Sequence, residues 1–110
     1  MSATKQIHDL SKEFLPKIID IRRHLHSNPE LSFQEIETTK YIKSILSDWV
    51  IPFQEHIADT GIVVLLNGKN PEKSCTALRA DFDALPIQEE NEVAYCSKNN
   101  GVMHACGHDA

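Results

Sequence analysis

Gly61-Ile62-Val63-Val64-Leu65-Leu66-Asn67-Gly68 is where the chain changes character. Its centre, residues 62 to 66, is short, rich in β-branched residues and closed at both ends by turn formers. That is the pattern of a strand buried on both faces. Downstream, after the turn-rich Asn67-Gly68-Lys69-Asn70-Pro71, the run Thr76-Ala77-Leu78-Arg79-Ala80 reads as a second strand. Upstream, residues 51 to 56 read as a weaker one.

Before these strands the apolar period is helical. Ile7, Leu10, Phe14, Ile18, Ile21 and Leu25 recur at three- and four-residue steps and form one stripe. Pro16 predicts either a kink or a main helix that starts there. Asn28-Pro29 predicts the stop, because proline disfavours helical geometry in the residue before it. A second helix is predicted from a capping box, Ser32 with Glu35 three residues on. Its buried face is Ile42, Ile45, Leu46 and Trp49, and Pro52 bars its extension. The chain thus reads as two helices, then strands and a long loop.

Composition narrows the function. The chain has 110 residues, 41% apolar and 25% charged, which suits one small globular unit rather than a disordered or fibrous one. Its net charge of −5, with Arg22-Arg23 as the one basic pair, disfavours nucleic acid and membrane surfaces as partners. The start carries no apolar signal-type run, so a cytoplasmic protein is expected. Cys75, Cys96 and Cys106 form an odd set without CxxC spacing, which leaves thiols as core, ligand or nucleophile rather than a disulfide framework.

Chemistry-bearing residues crowd into the last thirty or so, where irregular chain of such length is usually a functional loop. In Arg79-Ala80-Asp81-Phe82-Asp83, an extended backbone would put both carboxylates on one face. Their repulsion then calls for a cation, a shared proton or solvent. In Met103-His104-Ala105-Cys106-Gly107-His108-Asp109, extended chain sends Cys106 and His108 to one side, with Cα atoms about 6–7 Å apart. A sulfur and an imidazole nitrogen at that separation can converge on one transition-metal ion. His104 is in phase with them. Spacing alone leaves three readings open: a metal site, a Cys–His nucleophile pair, or an incidental surface loop. His24 and His26 lie about 200° apart on a helix and cannot share an ion there. They suit the negative C-terminal end of that helix.

Three stretches together carry a family resemblance: Arg-Arg-His-Leu-His-Ser-Asn-Pro-Glu-Leu-Ser-Phe-Gln-Glu (22 to 35), Leu-Arg-Ala-Asp-Phe-Asp-Ala-Leu-Pro-Ile (78 to 87) and Met-His-Ala-Cys-Gly-His-Asp-Ala (103 to 110). In order and spacing they resemble the metal-dependent amidohydrolases that include hippurate hydrolase, the indoleacetyl-amino-acid hydrolases and N-acetyldiaminopimelate deacetylase. The resemblance implies an α/β fold, with residues 1 to 110 the N-terminal portion of a zinc-peptidase-like catalytic domain. It makes Cys106 and His108 metal ligands and Asp83 the carboxylate that orients a ligand without binding metal. His104 is not a ligand in that group. The implied cofactor is a pair of divalent transition-metal ions, zinc or manganese with cobalt or nickel as alternatives. They would activate water and polarise the amide carbonyl of a small N-acyl amino acid. The group's glutamate base, its other ligands and its dimerisation domain are expected beyond Ala110, so the chain alone is expected to be inactive and any homodimer to belong to the full-length enzyme. Two competing expectations are a catalytically inactive fragment serving as a small interaction module, and a thiol enzyme using Cys106 with His104 or His108.

Overall fold

Ser2 opens the first helix: its hydroxyl accepts the Lys5 N–H at 3.3 Å, and α1 then runs over Ala3–Ser27. The computed structural model describes residues 2–107. Pro16 lies inside α1 rather than at its start, so the helix tolerates one missing backbone donor. It stops where the sequence predicts. The Asn28 N–H bonds the Leu25 carbonyl at 3.1 Å, the Asn28 side chain caps the His24 carbonyl at 2.8 Å, and Pro29 follows fully buried. No helix among the described residues is long and apolar enough to cross a membrane.

The second helix, α2, spans Ile36–Asp48, and its cap corrects the expected Ser32–Glu35 box. Glu35 holds the cap position but makes no side-chain cap bond. The carboxylate of Glu30 reaches forward instead, accepting the N–H groups of Thr38 at 2.6 Å and Glu37 at 3.2 Å. The reason is the turn between them. Gln34 bonds back to the Leu31 carbonyl and Phe33 takes a positive φ of 62°, a path that leads from Glu30 to the helix start. A carboxylate there satisfies orphan donors and meets the positive end of the helix dipole. Burial raises the Glu30 carboxyl pKa, but hydrogen bonds from Thr38, Glu37 and Ile36 outweigh it and hold it below the usual range.

At its other end α2 closes with a Schellman motif. The Ile51 N–H bonds the Leu46 carbonyl and the Val50 N–H bonds the Ser47 carbonyl, with Val50 left-handed at φ 56°. Pro52 lies beyond this stop. The predicted face Ile42, Ile45, Leu46 and Trp49 is half-buried. The two helices meet through an edge-on Phe14–Trp49 pair at 6.4 Å and a His24–Tyr41 stack at 3.7 Å.

Strands β1 (Phe53–Ile57) and β2 (Gly61–Val64) form an antiparallel hairpin, with Phe53 opposite Val64 and Gln54 opposite Val63. The weaker predicted strand is thus real, shifted by two residues at its start. Its partner is shorter than predicted and is not buried on both faces: Leu65 and Leu66 are 66% and 71% exposed. The predicted strand at 76–80 is irregular chain, with Leu78 96% exposed. A strand needs a neighbour to donate to and accept from, and the described residues offer none to this segment. The hairpin turn docks on α2. Buried Thr60 donates to the Glu35 carboxylate at 2.9 Å, and Thr39 donates to the Thr60 carbonyl at 2.8 Å. Gly61 is required there, because a Cβ would collide with the Ile57 carbonyl oxygen.

Candidate functional site

The site begins from Ala84, 3% exposed and, with Pro29, one of two buried apolar residues among the described residues. Its N–H bonds the Glu30 carbonyl at 2.8 Å, tying this segment to the turn after α1. The next residue, Leu85, exchanges both backbone bonds with Met103, at 2.9 and 3.0 Å. This antiparallel clasp joins the two motifs that the sequence singles out. Asp83 leaves it on one strand and Cys106 on the other.

Both residues line one cleft of about 520 Å³ together with Arg79, Ala80, Asp81, Leu85 and Ala105. Asp83 is half-buried and Cys106 is exposed. The predicted carboxylate pair does share this cleft. The cation that relieves Asp81 is Arg79, whose Nη2 lies 2.7 Å from Asp81 Oδ1. The third predicted site residue, His108, lies outside the described residues.

The donor chemistry fits a transition metal. A thiol that ionises beside a carboxylate would create two anions in one cleft, and a cation between them removes that cost. Thiolate and imidazole are the donors that favour zinc and its neighbours over magnesium or calcium. Among the described residues no three potential donors stand close enough to hold an ion. Residues outside that set must complete any closed site.

His24 and His26 point apart, as their spacing requires. His26 turns into the molecule, 8% exposed, with Nε2 2.8 Å from the Glu89 carboxylate. Sequence reasoning missed this pair, and no local signal could reveal partners 63 positions apart. The Glu89 side chain is 3% exposed and also accepts the Ser97 N–H at 2.5 Å and the Asn91 amide at 3.1 Å. Burial pushes its carboxyl pKa up. The His26, Ser97 and Asn91 hydrogen bonds, with the attraction of His26, win and hold it down at about 2. The same helix end straps the loop in three more places. Ser27 contacts the Tyr95 carbonyl through its hydroxyl and the Lys98 N–H through its own carbonyl, and Asn99 donates to the Pro29 carbonyl. The His104 ring lies 6.4 Å from that of His26.

The cleft, built on irregular chain that follows two helices and a small sheet, has counterparts among known proteins. Residues 77–110 match the model of Peptidase family M20/M25/M40, and over most of its length the chain is similar in sequence and fold to part of solved and curated hydrolases. The N-acyl-L-amino acid amidohydrolase of Geobacillus stearothermophilus is 45% identical over 96% of this chain and 28% of its own length. The N-acetyl-L-cysteine deacetylase of Bacillus subtilis is 48% identical over 84% of this chain and 22% of its own. The crystal structure of the Bacillus subtilis YXEP protein, a dinuclear metal binding peptidase from the M20 family, superposes with a TM-score of 0.81 at 45% identity. That match covers 89% of this chain and 28% of the solved one. The chain therefore spans about a quarter of the length of the relatives it matches. The resemblance read from the three motifs is borne out.

Proposed function

We propose that residues 1 to 110 form the N-terminal portion of the catalytic domain of a two-metal amidohydrolase acting on small N-acyl amino acids. The observation that carries this reading is the shared cleft of Asp83 and Cys106, held by the Leu85–Met103 clasp. The N-acyl amino acid and N-acetylcysteine activities of the Geobacillus and Bacillus relatives support the substrate class.

In this reading Cys106 and His108 would hold metal, which when bound would supply Lewis acidity toward the amide carbonyl and a lowered pKa for water. Asp83, half-buried beside Cys106, fixes the orientation of a ligand, the task such outer carboxylates perform at metal sites. Leu85, Ala80 and Ala105 give the cleft an apolar wall against which an acyl group can lie. Arg79, paired with Asp81, keeps positive charge at the same wall. The general base and the remaining ligands belong to sequence beyond Ala110.

The test is Cys106→Ser in the intact protein. Metal content and amide hydrolysis should fall together, because a hydroxyl is a poor ligand at neutral pH. Full metal loading of that variant would remove Cys106 from the site. A chelator that leaves hydrolysis intact while a thiol alkylator abolishes it would favour a Cys106 nucleophile instead.

A further inference from the structure

We propose that Glu89, held by His26, is a positioning residue for the metal centre: the buried pair sets where the chain carrying Cys106 can lie. The inference rests on the reading of Cys106 as a ligand, and it adds residues far from that motif.

The path is continuous. His26 stands on the last turn of α1, the most firmly buried stretch of that helix. An ionised carboxylate can only accept, so His26 Nε2 carries the proton of the 2.8 Å bond to Glu89 Oε1. Glu89 Oε2 then takes the Ser97 N–H, and the Ser97 hydroxyl donates to the Val102 carbonyl at 2.7 Å. Val102 precedes Met103, whose clasp to Leu85 sets the two strands that border the cleft. Cys106 is three residues further on. The Glu89 links have few alternatives, because a buried carboxylate that loses a donor keeps its desolvation cost. The Ser97 hydroxyl has a second acceptor in the Asn99 carbonyl at 3.0 Å, and the Val102 contact is the shorter. Helix α1 thereby acts as the fixed support, and Glu89 is the only side chain that binds both it and the turn at Ser97 among the hydrogen bonds described.

Outer groups of this kind typically change metal affinity or turnover by about 10–100-fold. In the intact protein loaded with cobalt(II), Glu89→Gln should weaken cobalt binding within that range and diminish the thiolate-to-cobalt absorption. Turnover should fall with KM little changed, since the substrate contacts remain. His26→Gln keeps a donor at the end of the side chain, so it should hold the site better than His26→Leu. A folded Glu89→Gln protein with wild-type cobalt affinity and absorption overturns the proposal. If Glu89→Gln does not fold, the two His26 variants decide. Equal cobalt binding by both overturns the positioning role, and stronger binding by His26→Gln supports it. Wild-type protein lacking the thiolate absorption, or Cys106→Ser retaining it, would refute the assignment of Cys106 instead. Glu89 would then be judged by cobalt affinity alone.

Discussion

Asp83 and Glu89 are both carboxylates of the same irregular stretch, yet their surroundings give them different work. Asp83 sits half-buried in the lining of the cleft that Cys106 also lines. Asp83→Asn keeps the shape and removes that charge. In the intact protein it should retain most of the metal while turnover drops about 10–100-fold, and an unchanged rate would reduce Asp83 to a loop carboxylate. Glu89 is sealed inside, with its pKa lowered from 4.5 to about 2. A depressed carboxyl pKa contributes stability that is fully present above the unfolded value and is lost as pH falls through the folded one. The stability gap between wild type and Glu89→Gln should therefore be widest above about pH 4.5 and should close toward about pH 2. Urea unfolding midpoints across that window measure it, and a gap independent of pH would contradict it. Asp83 and Cys106 were legible from sequence because their motifs are local and dense in chemistry. Glu89 was not, because its acceptor role is defined by His26 and Ser97, which only folding brings to it.

The elements were legible where a single local rule decides them. Asn28-Pro29 ends α1 because proline disfavours helix in the residue before it and the Asn28 side chain caps the His24 carbonyl, and the 51–56 pattern yields β1 nearly in place. Capping was misread because the helix starts later than the box implies: a Ser32 cap would serve the Glu35 N–H, whereas Glu30 reaches the Glu37 and Thr38 N–H groups of a helix that begins at Ile36. The run at 76–80 has strand composition, but composition cannot supply the partner on which a ladder depends. At the C-terminal end of α2 a β-branched residue occupies the left-handed position of the Schellman motif, where glycine is the usual occupant. Val50 is 88% exposed, so its side chain gains little in return. Val50→Gly should stabilise the protein by about 1 kcal/mol, the order of the left-handed cost for an L residue. A denaturant midpoint that moves down instead would show that the Val50 side chain matters elsewhere.

Across the whole molecule, polar contacts do much of what a core normally does. The buried side chains are mainly His26, Ser27, Glu35, Thr38 and Thr60, with Ala84 and Pro29. The stripe Ile7, Leu10, Phe14 and Ile18, clear in the sequence, lies on the surface, as do Leu65, Leu66 and Leu78. Hydrophobic burial is the dominant favourable contribution to folding, and too little of it cannot offset chain entropy. Residues 1 to 110 expressed alone should thus lack a sharp thermal transition, with or without added zinc or manganese. A soluble monomer that melts cooperatively by circular dichroism would refute this. The site reads so much more clearly than the core because its chemistry is written in short motifs, whereas the cover for these apolar surfaces is not in the described residues.

The Leu85–Met103 clasp has a topological consequence. It closes the intervening chain into a ring, and Asp83 and Cys106 stand just outside the point of closure. A peptide bond cut inside that ring, between Asn91 and Glu92, would leave both residues attached to the clasp and the clasp attached to the helix end through Glu30. The segment at Asn91 and Glu92, between Glu89 and Ser97, is therefore the part of the ring where new chain termini or inserted segments can be accommodated without parting the two walls of the cleft.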